Sequence, residues 1–282
     1  MSLNSGATEY LHADYDGSAA QLKSVVGEPM GGLYAHPVRT DANGNKMVDS
    51  RGFYMLDGDK WEKYGSAMPK GVGGLLNTFT YKSFTLDVSV DYSYGGYLMP
   101  TGVNWMKSRG LTEETLNYST NERGGLTYYL DGGKGVQVPN SATAGPAGQP
   151  LYRDGMLMEG VTADGTPNTN VVSQAGYYAT TYNWGGPQYS SSRYELYIQK
   201  NDYVKLRELS LAFNVPASYA SKIGATKLSL SLFGRNLFYI YRTIKDMDAE
   251  ATTSGTRWEQ NVNNAGLTPS TRSYGVMLRA SF

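Results

Sequence analysis

Along much of this chain apolar and polar residues alternate with period two, the pattern of a strand with one apolar and one polar face. The cleanest run is FTLDVSVDYSY. It sets Phe84, Leu86, Val88, Val90, Tyr92 and Tyr94 against Thr85, Asp87, Ser89, Asp91 and Ser93. Residues 203–215 place Leu209, Leu211, Phe213 and Val215 opposite Glu208, Ser210, Ala212 and Asn214. Residues 226–241 alternate Leu228, Leu230 and Leu232 with Lys227, Ser229 and Ser231. At the end of the sequence Tyr274, Val276, Leu278, Ala280 and Phe282 share one side of a last strand. Residues 73–81 are weaker, with Asn77 among Leu75, Phe79 and Tyr81. The pattern predicts five strands, at about 73–81, 84–96, 203–215, 226–241 and 271–282.

The connections fall into two sizes. Lys82 and Ser83 leave room for only a tight turn, and PASYASKIG predicts one helical turn ended by Gly224. Residues 97–202 and 242–270 are long, polar links. Links of that length are uncommon in a compact soluble domain. Outer-membrane barrels have short periplasmic turns on one side and long extracellular loops on the other. If the last strand descends to the periplasm, both short turns fall on that side and both long loops outside. The fold class expected is therefore all-β, an antiparallel transmembrane β-barrel segment that forms an open sheet if alone. The first 71 residues read as an earlier strand remnant and another external segment, with extended pieces at 31–38 and 51–57. Within the first long loop, 105–118 predicts a helical stretch with Thr112 as N-cap and Glu113 and Glu114 in its first turn. Residues 136–150, rich in Pro, Gly and Ala, read as flexible.

Composition sharpens this picture. There are 34 Gly and 24 Tyr in 282 residues, a surplus that favours strands and interfaces over helices. Lys plus Arg equals Asp plus Glu at 25 each, so no nucleic-acid partner and no polybasic membrane patch is expected. With no Cys, disulfides and thiolate metal sites are excluded. No apolar run approaches the roughly 18 residues of a spanning helix, and no signal peptide is visible.

The chemistry looked for is sparse. His12 and His36 match no zinc spacing and read as ordinary loop histidines. DANGN (41–45) opens as a calcium loop does but lacks the distal Glu, so a turn at Asn43-Gly44 is the expectation, with calcium a minor alternative. There is no phosphate-binding loop, no Ser elbow and no Cys nucleophile, so neither an enzyme nor a cofactor is expected. Glu113 and Glu114 are adjacent, which points them apart and unlike a glycosidase pair. Tyr177, Tyr178, Tyr182, Trp184 and Tyr189 form an aromatic cluster in the large loop. Packing of loop against loop or an interfacial girdle explains them, and contact with a ligand or lid protein is the functional alternative. Arg235 and Asn236 end the polar side of a strand and are candidates for a lumen lining or for structural hydrogen bonding.

Residues 202–241, DYVKLRELSLAFNVPASYASKIGATKLSLSLFGRNLFYIY, resemble the late-barrel segment of the SusC/RagA family of TonB-linked outer-membrane transporters. VGEPMGGLYAH (26–36), residues 67–96, NWGGPQYSSSRYEL (183–196) and the closing TRSYGVMLRASF (271–282) resemble further blocks of that family, in the same order. The resemblance implies that residues 1–282 are the C-terminal part of a TonB-dependent receptor barrel of about 22 strands, with the plug domain absent. It implies a place in the outer membrane of a Bacteroidetes-like Gram-negative cell, as part of a longer chain. The strand through Tyr274, Val276, Leu278, Ala280 and Phe282 would seal the barrel and be read by the barrel-assembly machinery. The implied partners are the lipid bilayer, a SusD-like surface lipoprotein, and TonB acting through the missing plug. The implied activity is uptake of glycan or peptide fragments, which this segment would not perform alone. The alternative is a soluble, secreted β-rich carbohydrate-binding protein using its Tyr-rich loops.

Overall fold

The structure is a computed structural model that describes residues 6–184, 191–250 and 268–282. The chain begins with β1 (Glu9–Tyr15), β2 (Ala20–Val25), β3 (Gly32–Ala35) and β4 (Glu62–Ser66). Two long strands follow, β5 (Gly71–Tyr81) and β6 (Phe84–Tyr94), and then the two-residue β7 (Tyr97–Leu98). Helix α1 (Thr101–Ser108), β8 (Leu126–Asp131), β9 (Lys134–Gln137), β10 (Tyr152–Leu157), β11 (Val171–Ser173) and α2 (Gln174–Thr181) come next. The two-residue β12 (Gln199–Lys200) precedes β13 (Tyr203–Asn214), α3 (Ala217–Ala220), β14 (Lys227–Arg242) and β15 (Ser273–Ser281). Of the described residues, one compact unit takes 6–67 and 98–199, and the other takes 68–97, 200–250 and 268–282.

The second unit is a five-stranded antiparallel sheet in the order β15-β14-β13-β6-β5. Directly opposed residues of antiparallel strands point to the same face. The register Phe79↔Leu86, Leu86↔Leu211, Leu211↔Leu232 and Leu232↔Val276 therefore carries one apolar row across all five strands. A second row runs from Tyr81 through Phe84, Phe213 and Leu230 to Leu278. The opposite face holds Asp87, Ser89, Asp91, Ser210, Ser229, Ser231 and Arg279, interrupted by Leu76, Phe233 and Met277. The apolar rows are not a buried core: Leu232 is 56% and Leu278 69% exposed.

Local chemistry explains the details of this sheet. The turn between β5 and β6 is two residues long, and Lys82 accepts a positive φ of 53° to close it. Gly71 and Gly73 face Tyr94 and Tyr92, whose rings lie over them. A Cβ at Gly71 would meet Tyr94 Cε1 at 2.4 Å. Bare backbone on one strand is thus covered by an aromatic ring from its neighbour, which pins the register. Residues 216–224 form the predicted turn: α3 runs into a single 3-10 turn, and Gly224 ends it at a φ of 77°.

The first unit holds two smaller sheets, β1-β2-β3-β4 and β11-β10-β8-β9. Of the former sheet, sequence pattern located only β3, as an extended segment at 31–38, and did not find β1, β2 or β4. The buried residues of β2, Ala20, Leu22, Lys23 and Ser24, do not alternate. Residues 97–202, expected as a long loop, carry α1, α2 and a whole sheet. The helix expected at 105–118 lies earlier, at α1, because Gly110 turns left-handed at a φ of 72°. Glu113–Leu116 form only one 3-10 turn. Thr112 stands extended at the head of that turn but makes no capping hydrogen bond, and its buried Oγ1 has no partner among the described residues. Residues 136–150 are drawn into turns by Ala142 N–H to the Pro139 carbonyl and Gly145 N–H to the Gln149 carbonyl, each at 2.9 Å. No helix among the described residues is long and apolar enough to cross a membrane.

Candidate functional site

In the first unit the Tyr residues of the expected cluster divide. Tyr178 stacks on Tyr182 at 5.9 Å between centroids, Tyr182 on Tyr197 at 5.8 Å, and Tyr197 on Tyr194 at 4.2 Å. Tyr178 and Tyr182 are 4% and 5% exposed, so their rings pack rather than present a surface. Their hydroxyls are placed internally. Tyr178 Oη donates to the Glu114 carbonyl at 2.9 Å and Tyr197 Oη to the Asn183 carbonyl at 2.8 Å. Burial, with the nearby Glu114 charge, pushes the Tyr178 hydroxyl up to about 12, and burial pushes Tyr182 and Tyr197 up further. Tyr177 joins a separate cluster around Val48, Met158 and Val172. Tyr189 lies outside the described residues.

Trp184 stands apart from this column. It is 53% exposed, and its Nε1 donates to Asp16 Oδ1 at 3.1 Å. The other Asp16 oxygen accepts from Tyr194 Oη at 2.6 Å. Asp16, Trp105, Met106, Arg109, Leu111 and Trp184 line one cavity of about 570 Å³. Arg109 lays its guanidinium 4.4 Å from the centre of the Trp105 ring and donates to the Trp105 carbonyl and to Ser108 Oγ. Sequence reading found Trp184 but missed Asp16, Trp105 and Arg109. Their proximity is a product of the fold, since Asp16 and Trp184 are 168 residues apart.

In the second unit the polar face of the sheet carries an ionic cluster centred on Arg207. Its Nε meets Asp91 Oδ2 at 2.6 Å and its Nη1 meets Asn236 Oδ1 at 2.7 Å, while its Nη2 grips Glu250. Lys205, 2% exposed, pairs with Glu250 Oε2 at 2.6 Å and lies 4.8 Å from the Tyr239 ring centre. Arg207 is an extra residue on β13, for Leu206 opposes Val90 while Glu208 opposes Ser89. Such a bulge turns a side chain that strict alternation would send to the apolar face towards the polar one. The sequence signal was there: Leu206 and Leu209 both face the apolar side, yet three steps separate them.

The two predicted polar residues sit beside this cluster. Asn236 has a positive φ of 52° in a second irregularity, and its Nδ2 donates to the Thr271 carbonyl at 3.1 Å. Arg235 pairs with Glu208 at 3.0 Å. Asp248 accepts from Tyr239 Oη and, at 2.8 and 2.6 Å, from Ser270 N–H and Oγ. Burial would raise the Asp248 carboxyl, but the bonds from Ser270 and Tyr239 outweigh it and hold it at about 2. Burial acts on Glu250 in the same way, and Arg207 and Lys205 override it, so that its carboxyl too lies below the usual range. Lys205, Asn236, Tyr239, Asp248 and Ser270 line an open groove of about 610 Å³.

Of the remaining candidates, Asp41 closes the DANGN turn by accepting from Asn43 and Asn45 N–H, each at 2.8 Å. His12 meets Ser24 Oγ at 2.8 Å, and His36 lies between the Lys60 and Ser18 carbonyls at 2.7 and 3.0 Å. Tyr274, Val276 and Leu278 are exposed along the edge strand β15, with Phe282 just beyond it.

No protein-family profile matches this chain, and no curated protein does. Solved structures do. One is the structure of the RagAB peptide transporter, at a TM-score of 0.51 and 14% identity, over 99% of this chain and 25% of that one. Another is the RagAB peptide importer in its open-open state, at a TM-score of 0.50 and 15% identity, over 100% of this chain and 25% of that one. At these identities the likeness is one of fold. The chain spans about a quarter of the length of the structures that it matches.

Proposed function

We propose that this chain is the C-terminal barrel portion of a SusC/RagA-like, TonB-dependent importer of the outer membrane. In this reading the longer transporter takes up peptide or glycan fragments beneath a SusD-like surface lipoprotein, and catalyses no reaction. The observation that carries the reading is the exposed apolar face of the five-stranded sheet. Water penalises such a face and lipid rewards it. Its strands β5, β6 and β13 are 11, 11 and 12 residues long, close to the roughly 9–11 that a tilted strand needs to span a bilayer.

Aromatic residues flank the aliphatic belt at both ends. Tyr81, Phe84 and Phe213 lie at the end with the tight turn, and Tyr92 and Tyr94 towards the other. From Phe84 to Tyr92 the strand advances roughly 26 Å, at about 3.3 Å per residue, comparable with the apolar band of such barrels. In lipid the outermost strands β5 and β15 need partners, since an open edge leaves backbone groups unsatisfied. Even small barrels have about eight strands, so further strands of a longer chain would supply them.

The test is fractionation of cells that produce this protein, with an immunoblot against residues 136–150. The expected result is a band several times larger than 30.8 kDa in the outer-membrane fraction. A soluble or secreted band near 30.8 kDa would overturn the proposal in favour of a secreted binding protein.

A further inference from the structure

We propose that His36 carries a proton on both ring nitrogens and works as an acid-closed clasp, tying the β1–β2 turn to the link that enters β4. The first support is geometric. His36 directly follows β3 and is 5% exposed. Its Nδ1 lies 2.7 Å from the Lys60 carbonyl oxygen and its Nε2 3.0 Å from that of Ser18. Peptide carbonyls only accept. A neutral imidazole has one N–H and one lone pair, so either tautomer turns a lone pair on one of these oxygens. An imidazolium has two N–H groups and satisfies both. His12 is the contrast. Its Nε2 meets Ser24 Oγ at 2.8 Å, and a hydroxyl can donate as well as accept, so a neutral ring fits there.

The second support is the ring's surroundings. Burial disfavours a charge. Two carbonyl oxygens oppose that penalty, as does the face of Trp61, whose ring centre lies 3.9 Å from that of His36. The charged side chains of the neighbouring elements are engaged elsewhere. Lys60 pairs with Asp57 at 3.0 Å, and Lys23 of β2 pairs with Glu9 of β1 at 3.0 Å. Glu62 of β4 accepts from Tyr64 Oη, Asp14 from Ser18 Oγ and Asp16 from Tyr194 Oη, while Asp59 is exposed. Among the described residues none of these charges bonds the imidazole, which meets the two carbonyls alone.

The third support is what the clasp holds. Asp16, Gly17 and Ser18 have successive φ values of 50°, 69° and 60°. Non-glycine residues persist in that sparsely populated region where surrounding contacts impose it. The bond from His36 to the Ser18 carbonyl is one such contact, and the same turn holds Asp16 against Tyr194. Loss of the second proton gives up one anchor, either the turn or the link. Acid therefore closes the turn, and rising pH loosens it. The sign follows from linkage. A ring that holds its second proton more tightly in the folded chain adds stability in full below the ordinary histidine midpoint of about 6.5. It gives that stability up as pH rises beyond it. None of this depends on the importer reading.

The experiment is nitrogen-15 NMR of the full chain in detergent, labelled at histidine and followed from about pH 5 to about 8. At about pH 7, above the ordinary midpoint, His36 should still show two protonated ring nitrogens, and His12 one protonated and one bare. Contact with the Trp61 indole protons assigns the His36 ring without any variant, so the reading survives a substitution that misfolds. Amide exchange then tests the clasp itself. Protection of residues 17–20 should fall about tenfold between about pH 6 and 8, the loss of one charge-assisted bond, and should stay level in His36→Gln. A mostly neutral His36 ring at about pH 7, titration of both rings together, or protection that ignores pH in the unaltered chain would each overturn the inference.

Discussion

The two units bury their apolar residues by opposite means. In the unit of residues 6–67 and 98–199, Leu22, Leu33, Met99, Tyr194 and Tyr197 are almost wholly buried within the chain itself. In the unit of the five long strands, Leu75, Phe79, Leu211, Leu232, Val276 and Leu278 are exposed, although they make up its most regular apolar pattern. The first unit is built as water requires. The second keeps its most regular apolar pattern on an exposed face. One sequence can follow both rules because a strand needs only alternation, while the solvent facing each side decides which side is stable.

This contrast can be broken or sharpened by measurement. Tyr197→Ala removes a stacked, buried ring and should destabilise the first unit by about 3–5 kcal/mol, as large-to-small core changes do. Chemical denaturation followed by Trp fluorescence would read it, and a near-zero effect would mean that the Tyr column is not a core. Val88→Arg places a charge midway between Phe84 and Tyr92 on the apolar face. In lipid vesicles it should cost roughly 2–4 kcal/mol, while Ser89→Arg on the polar face should cost far less. Equal costs would abolish the distinction between the faces.

Smaller effects are expected at the ionic cluster. Arg207→Gln removes the partner of both Asp91 and Glu250. Solvent screens the partly exposed guanidinium, so the loss should be about 1 kcal/mol. A double-mutant cycle with Glu250→Gln would isolate the coupling, and additive effects would mean that the pair is inert. A separate effect, read by pH, concerns Asp248. Its carboxyl is held at about 2, below its ordinary 3.8, so its contribution is complete above 3.8 and lost as pH falls through 2. Proton titration by NMR would follow this, and an ordinary midpoint near 3.8 would show that Ser270 and Tyr239 do not hold it.

The legible parts of the molecule were those with a short period. Each of the five strands was visible because successive side chains must face opposite sides, so a strand writes its environment into consecutive residues. The hairpin at Lys82–Ser83 and the stop at Gly224 were visible for the same local reason. The sheets of the first unit were not, since β2 buries adjacent residues on both faces and β3 is only four residues long. The Leu206-to-Leu209 slip shows a middle case, in which the bulge is written locally but its use by Arg207 is not.

By itself, then, the sequence determined the five strands, the apolar face of each, and the tight turns between neighbours. Tertiary structure alone decided which chemistry-bearing residues meet. Arg207 reaches Asp91 across 116 residues, and Tyr194 reaches Asp16 across 178. Alternation is a property of neighbours, and it survives in one dimension. A site made from a turn, a helix end and a distant loop has no period, and only the closed chain brings its charges into one cavity.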